Sequence, residues 1–209
     1  MESFFIIVLV IASIVGVTFI VERGLALRRS KIIPPEIEDA VDNVHSDADL
    51  EKLRAVCRQK PSPISRLLLM VDEHRSWPRA ENIDSLQTRA RHEVTRMERG
   101  LVVLEIVVGI APLLGLVGTI YGLIILFRGL DAASFGSNAG VANGIALALR
   151  ATLLGLLTAI PSLIAWSYFS KKVETLAVEM ETICDQFLRR IYRQKTEVNP
   201  EPRPTHVIV

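Results

Sequence analysis

Two threonine hydroxyls lie in segments of this chain that otherwise hold few side chains able to do chemistry. Thr119 lies within GIAPLLGLVGTIYGLIILF (109–127), and Thr152 lies within RATLLGLLTAIPS (150–162). A threonine hydroxyl can bond water or a hydrated cation, but it does not titrate near pH 7. It can also bond a carbonyl of its own helix. The two residues therefore fit either a polar lining for water and ions or a local hydrogen bond.

Two charged residues flank these segments. Glu105 lies six residues after Arg99, about 9 Å along a helix. Arg150 lies next to the third apolar run, and a charge near a helix centre costs about 2.5–3.5 kcal/mol on insertion scales. Arg150 therefore either extends to the outer membrane interface or faces the protein interior and pairs with an acid. The role of each residue stays open at this point.

The apolar runs exclude several kinds of active site. They cover residues 3–21, 106–127 and 151–170, and they hold no His or Asp. An intramembrane enzyme would need a Ser–His pair, paired Asp or a His-rich zinc site. The chain also has no GxxxxGK[ST] stretch for ATP. We therefore expect no enzyme activity, no cofactor and no catalytic or metal site.

The length of the apolar runs predicts a polytopic membrane protein. A hydrocarbon core of about 30 Å needs roughly 20 helical residues, and each of the three runs has about that length. Fifteen of the 24 Lys and Arg fall in residues 22–100, and seven follow Ser170. Basic residues beside spans stay cytoplasmic, so the N-terminus is expected outside.

The predicted fold is all-α, with three transmembrane helices, two of which extend into long cytoplasmic helices. Apolar residues recur at steps of three and four from Ile83 to Leu104, and this stripe continues without interruption into the second span. A similar stripe follows the third span, from Val173 to Ile191. The two stripes indicate helices that pack together, or else helices that lie on lipid. The predicted segments are transmembrane helix 1 (1–22), a cytoplasmic helical loop (23–100), transmembrane helix 2 (101–127), a short periplasmic loop (128–139), transmembrane helix 3 (140–170), a cytoplasmic helix (171–195) and a disordered tail (196–209).

Two polar residues are candidate helix caps in the loop. Two residues separate Ser46 from the stretch DLEKLRAVCRQK, and Asn82 follows the turn SWPRAE. Short side chains with an oxygen acceptor are preferred at the first position of a helix. The sequence therefore predicts helices that begin at these two residues.

Glycines in the second and third spans predict close contact between helices. Helices in lipid associate through small residues that let backbones approach. Such contact can involve helices of the same chain or of a neighbouring copy. The glycines that we assign to this packing are Gly115, Gly118, Gly122, Gly144 and Gly155.

The two threonines are expected at one depth. Thr119 lies twenty residues from Arg99, and Thr152 lies nineteen residues from Lys171. Both distances are about 30 Å along antiparallel helices. Matched depth on faces of small residues favours a shared role.

These motifs resemble a known family. APLLGLVGTIYGLI, followed by GIALALRATLLGLLTAIP, is similar to the MotA/TolQ/ExbB proton channel family, and to its ExbB type in particular. Pro112, Thr119, Thr152 and Pro161 are each in place, and VERGLALRRSKIIPP after the first run also fits. MotA itself has four spans, so that branch fits less well.

The resemblance implies a multi-pass motor subunit of the bacterial inner membrane that couples the proton motive force to work. Five copies would form a ring around two ExbD- or TolR-like single-span partners, each supplying an Asp. Thr119 and Thr152 would face the pore, Pro112 and Pro161 would shape the helices, and the glycines would pack the ring. The expected process is TonB-type biopolymer transport, in which a TonB-like protein would be a further partner. The alternatives are a motor for Tol-type envelope maintenance and a membrane scaffold that transports nothing. Sodium is an alternative ion, and no nucleic acid is involved.

One position departs from the family pattern. The stretch GIALAL carries Leu147 where ExbB and TolQ proteins carry a glutamate. A leucine cannot carry a proton, so the role of that glutamate does not transfer to this chain.

Overall fold

The structure, a computed structural model, describes the backbone of residues 2–132 and 138–198, and the side chains of 4–127, 145–146 and 148–193. Every element in these ranges is an α-helix, which confirms the predicted all-α fold. In chain order they are α1 (Glu2–Ala26), α2 (Arg29–Ile32), α3 (Pro35–Asp42), α4 (Asp47–Gln59), α5 (Pro63–Glu73), α6 (Arg79–Glu98), α7 (Leu101–Ala132) and α8 (Asn138–Val198).

Three of these helices are long and apolar enough to cross a membrane. The qualifying segments are Phe4–Ala26 with 23 residues, Leu101–Phe127 with 27 and Ala148–Arg193 with 46. The predicted three spans are therefore confirmed. The chain divides into two compact units: a membrane unit (Met1–Ala26 and Glu98–Lys172) and a loop unit (Leu27–Met97 and Val173–Val209).

The membrane unit is built from α1, α7 and the first part of α8. Its buried core is the cluster of Leu9, Ala111 and Ala159, one residue from each helix, with Leu114 and Leu154 packed against it. Most large apolar side chains of α1 point outward and are exposed. Exposed apolar residues on a helix that satisfies its own backbone hydrogen bonds suit a lipid environment.

The periodic pattern that runs into the second span is not one helix. α6 ends at Glu98 and α7 begins at Leu101, with Arg99 and Gly100 in a turn. Glycine is a poor helix former. A side chain at Gly100 would also overlap the guanidinium of Arg23, which packs against the bare backbone there. The expectation of an uninterrupted helix was therefore wrong, because periodicity alone does not report this break.

The loop unit packs large apolar residues around the second part of α8. The apolar stripe of α8 is buried along its whole length: Val173, Leu176, Met180, Ile183, Phe187 and Ile191. Phe187 lines the same small internal cavity as Leu50 and Leu53 of α4 and Leu68 of α5. The alternative in which this stripe lies on lipid is therefore excluded, since the same chain covers it.

Two carboxylates are buried in the loop unit with arginine partners. Glu93 accepts hydrogen bonds from Arg66 at 2.8 and 2.5 Å. Asp72 accepts them from Arg54 at 2.5 and 3.0 Å. Both pairs have two parallel contacts, the geometry in which an arginine–carboxylate bond is strongest.

The two predicted caps had different outcomes. Ser46 caps α4, and its hydroxyl accepts from the Asp49 amide at 3.3 Å. Asn82 does not begin a helix, because α6 starts at Arg79, directly after Pro78. A proline fixes the backbone angle that a first helical turn requires. Asn82 is instead buried, and its amide donates to the carbonyls of Val71 and His74 at 3.0 and 3.2 Å.

Candidate functional site

The two helices that carry the threonines are in backbone contact. A Cβ added at Gly155 of α8 would lie 2.6 Å from the Ala111 carbonyl oxygen, and one at Gly115 of α7 would lie 2.9 Å from the Ala151 carbonyl oxygen. A real Cβ cannot come so close, so only glycine fits at these points. Gly118 and Gly122 continue the contact, against Ala151 and Ala148.

This contact gives the glycines a role inside a single subunit. Gly115, Gly118, Gly122 and Gly155 all face the opposite helix of the same chain. Their predicted role in packing between subunits stays a prediction. Gly144 lies in α8 but outside the residues whose side-chain positions are described.

The close contact sets the relative depth of the two threonines. Gly118 lies against Ala151, with 2.7 Å from an added Cβ to the alanine Cβ. Thr119 is the next residue on α7 and Thr152 the next on α8, which runs in the opposite direction. Each step moves a residue by 1.5 Å, so the two threonines differ in depth by about 3 Å.

The helix α1 covers one flank of the α7–α8 pair. Phe5 of α1 meets Tyr121 of α7 with ring centroids 5.6 Å apart, and Gly16 of α1 lies beside Ser162 of α8. At 100° per residue, Tyr121 is about 160° from Thr119 around α7. Leu154 packs against the buried core cluster and is about 160° from Thr152 around α8.

The threonines therefore lie on the flank that α1 leaves open. Both side chains are half-buried in the single chain. A flank of this kind is available to a neighbouring subunit or a partner helix. A helix that packs on this flank would meet both hydroxyls at nearly the same depth.

The two hydroxyls differ in their hydrogen bonds. The Thr119 hydroxyl donates to the Leu116 carbonyl at 2.7 Å, so it retains only lone pairs with which to accept. For Thr152 the structure records no hydrogen bond to any described residue. Its hydroxyl can therefore both donate and accept. The local-bond alternative holds for Thr119 and not for Thr152.

A line of polar groups follows the Thr119 face of α7. Pro112 has no N–H, so the carbonyl of Val108 loses its usual helical donor. Val108 and Pro112 are each about 20° from Thr119 around the helix, and Glu105 is about 40° away. Glu105 is exposed and lies about 21 Å from Thr119 along the axis. The sequence analysis missed the freed carbonyl, although Pro112 four residues later was the signal for it.

Arg150 does not share the threonine face. It is exposed in the single chain and lies about 160° from Thr152 around α8. Pro161 is also exposed and is about 20° from Arg150 around the helix. Arg150 therefore points to another side of α8 than Thr152. Leu147 lies in α8, but its side chain is outside the described residues.

The described residues offer no alternative centre for metal chemistry. No group of three or more His, Cys, Asp or Glu in them could hold a metal ion. Cys57 is buried in the loop unit, and burial raises the pKa of its thiol to about 11. A thiol in that state is a weak nucleophile near neutral pH.

Several known proteins are similar in sequence to this chain. The protein TolQ of the Tol–Pal system of Pseudomonas aeruginosa is 32% identical over 200 residues, which cover 89% of this chain and 85% of that protein. An ExbB-like biopolymer transport protein of Synechocystis sp. is 30% identical over 206 residues, covering 94% and 78%. The biopolymer transport protein ExbB of Aquifex aeolicus is 31% identical over 105 residues, covering 50% and 70%.

The family profile matches the part of the chain that holds the paired helices. The profile of the MotA/TolQ/ExbB proton channel family matches residues 61–182. This range includes Pro112, Thr119, Thr152 and Pro161. From this match and the relatives above, the chain belongs to the MotA/TolQ/ExbB proton channel family.

Proposed function

We propose that this chain is the channel subunit of a proton-driven motor in the bacterial inner membrane, of the TonB or the Tol type. The observation that carries the proposal is the placement of Thr119 and Thr152. They lie within about 3 Å in depth on the flank of the α7–α8 pair that α1 does not cover. Proteins of this family form channels, and a hydroxyl pair on an open flank suits the wall of one.

The proposed path uses the chemistry of the α7 face. Water would be held by the hydroxyls of Thr152 and Thr119 and by the freed Val108 carbonyl, and Glu105 would lie at the cytoplasmic end. None of the first three groups titrates near pH 7. A proton carrier must therefore come from elsewhere, and an Asp on a single-span ExbD- or TolR-like partner supplies it.

The proposed assembly closes the open flank with protein. Five copies would form a ring, with their threonine flanks turned toward two partner helices. The N-terminus would lie outside, and residues 23–100 and the end of the chain would lie in the cytoplasm, as the basic residues predict. Proton flow would turn the ring around its partners, and biopolymer transport of the TonB type is the favoured process.

The proposal is tested by proton flux into vesicles. The vesicles contain this chain with or without an ExbD/TolR-like single-span protein that has an intramembrane Asp, and a membrane potential is imposed. We expect vesicles with the chain alone to be proton-tight and vesicles with both proteins to conduct. Thr152→Val should lower the flux about tenfold, as expected for loss of one hydrogen bond worth about 1.4 kcal/mol.

The two threonines should respond differently. Thr119→Val should lower the flux less than Thr152→Val, because the only hydrogen-bond donor of the Thr119 side chain is already used within the helix. Thr→Ser at either position should retain much of the flux, because the hydroxyl is kept. Thr18→Val is the matched control: its hydroxyl donates to the Ile14 carbonyl at 2.7 Å on the exposed helix α1, and its loss should change nothing.

A scaffold without transport is the competing function. It predicts normal assembly, no partner-dependent flux, and no effect of either valine substitution. Native mass spectrometry in detergent separates the assembly from the flux, and a monomer as the sole species would contradict the proposed ring.

A further inference from the structure

The loop unit has an open groove along one face of α6. Its volume is about 760 Å³, and it runs from Trp77 to His92. The ring of Trp77 stacks on His74 with centroids 3.9 Å apart, yet 42% of the residue stays exposed. A fixed and exposed indole offers a flat apolar surface to a second group.

The end of the groove near Trp77 carries unneutralised negative charge. Glu81 and Asp84 both line it, and they lie one helical turn apart on α6. Both are exposed, and neither forms an ion pair with any residue that the structure describes. By contrast, the buried carboxylates of this unit, Asp72 and Glu93, are paired with arginines. This end of the groove therefore presents an acidic surface beside an aromatic one, whereas Arg89 and His92 line the other end.

A residue near the end of α8 contacts the edge of this groove. The Tyr192 hydroxyl of α8 donates to the Trp77 carbonyl at 2.9 Å and accepts from the Asn82 amide at 3.2 Å. α8 ends at Val198, six residues or about 9 Å beyond Tyr192. The segment that follows, residues 199–209, lies outside the described residues. In the sequence it follows directly on Val198.

Residues 199–209 combine prolines with one arginine and one glutamate, Glu201, which would lie about 120° from Arg203 around an extended polyproline helix. Prolines alternate at 200, 202 and 204, and Arg203 stands between two of them. Such a segment favours an extended polyproline conformation of about 3.1 Å per residue, so eleven residues reach about 34 Å. The groove from Trp77 to His92 is about 22 Å long. Proline-rich segments dock in aromatic grooves, and arginine binds carboxylates.

We propose that residues 199–209 of the same chain dock in the α6 groove. The prolines pack on the ring of Trp77, and Arg203 binds between Glu81 and Asp84. The docked segment ties the end of α8 to the start of α6. This interaction is separate from the proton path, so it can hold or fail independently of the function proposed above.

The proposal is tested by disulfide cross-linking of the full chain in detergent. With Arg203 at Asp84, Thr205 lies opposite Thr88, which also lines the groove. We expect Thr88→Cys with Thr205→Cys to form a disulfide within one chain under mild oxidation. Ala55→Cys with Thr205→Cys is the matched control, because Ala55 is exposed on α4 and does not line the groove. The native Cys57 and Cys184 are buried and can stay.

Charge reversal makes the test specific. Arg203→Glu should lower the yield of the Thr88–Thr205 disulfide at least fivefold, and so should Glu81→Lys with Asp84→Lys. The three changes together should restore it. A yield no higher than that of the Ala55 control, or a yield insensitive to the charges, would overturn the proposal. A disulfide that joins two chains would overturn it as well, because it would assign the groove to a neighbouring copy.

Discussion

In the membrane unit α7 and α8 meet backbone to backbone at glycines, whereas in the loop unit large side chains fill the space between helices. Gly155 lies so close to α7 that a Cβ would be 2.6 Å from the Ala111 carbonyl. Phe187, on the same helix α8, is fully buried among leucines of α4 and α5. One continuous helix therefore uses two different modes of packing.

The difference follows from the solvent. Lipid tails are as apolar as leucine, so burying a large side chain in the membrane unit gains little, and close backbone contact supplies the attraction. In water the burial of apolar area drives packing at about 25 cal/mol per Å². The membrane unit should therefore be sensitive to added volume, and the loop unit to lost apolar contacts and to unpaired charge.

The largest effect is expected from a charge placed in the loop-unit core. Phe187→Asp would bury a carboxylate without a partner and leave a cavity, at a cost of more than about 4 kcal/mol. We expect this unit to unfold, as measured by limited proteolysis within residues 27–97. Val178→Asp is the control on the same helix, since Val178 is 58% exposed. Equal resistance of the two variants to proteolysis would contradict burial of Phe187 within its own chain.

A smaller effect is expected from loss of the buried ion pair. The Arg66 guanidinium lowers the pKa of Glu93 below its ordinary value, mainly through its hydrogen bonds. Glu93→Gln should lower the free energy of unfolding by about 2 kcal/mol at pH 7. Because the folded pKa is depressed, the ionised Glu93 stabilises fully above about pH 4.5, and this contribution disappears as the pH falls through the folded value.

The pH dependence separates this pair from a general loss of packing. The difference in stability between Glu93→Gln and the unchanged chain should shrink as the pH falls below about 4.5, in denaturant melts followed by circular dichroism. Glu98→Gln is the control, because Glu98 is exposed at the end of α6. A difference that stays constant with pH would mean that the charge of Glu93 does not stabilise the unit.

The smallest effect is expected from one methyl group in the membrane unit. Gly155→Ala should weaken the α7–α8 contact by about 1–2 kcal/mol, because neither backbone can yield without separating the helices. Gly109→Ala is the matched control: it lies in the same apolar region of α7 and has nothing within 4 Å of an added Cβ. Thermal unfolding in detergent measures both. If Gly109→Ala is as costly as Gly155→Ala, helix contact is not what the glycines provide.

The sequence alone predicted the three spans, because uncharged runs of about 20 residues have few alternatives in a chain of this length. It also predicted close helix contacts for the second and third spans, since several glycines on one face of an apolar helix cost helix stability and need a reason. It did not decide whether the partner helix belongs to the same chain or to a neighbouring copy. The matched depth of Thr119 and Thr152 followed from counting residues to the basic markers, because helical rise is constant.

Several features depended on contacts that periodicity does not report. The need for a glycine at the break between α6 and α7 depends on Arg23, which packs on Gly100 from a position 77 residues earlier in the chain. The interior position of Asn82 depends on the carbonyls of Val71 and His74. The cover over the α8 stripe depends on α4 and α5, whereas the sequence pattern favoured packing between helices and left a position on lipid as the alternative.

What the sequence by itself determined is therefore the all-α class, the three apolar spans and the relative depth of the two hydroxyls, since these depend on local composition and a fixed rise per residue. Only the tertiary structure decided which flank of the α7–α8 pair is left open, because that depends on where α1 packs. It also decided that the Thr119 hydroxyl is bonded within its helix while that of Thr152 stays available. Both decisions depend on side-chain directions around packed helices, and spacing along the chain does not fix those.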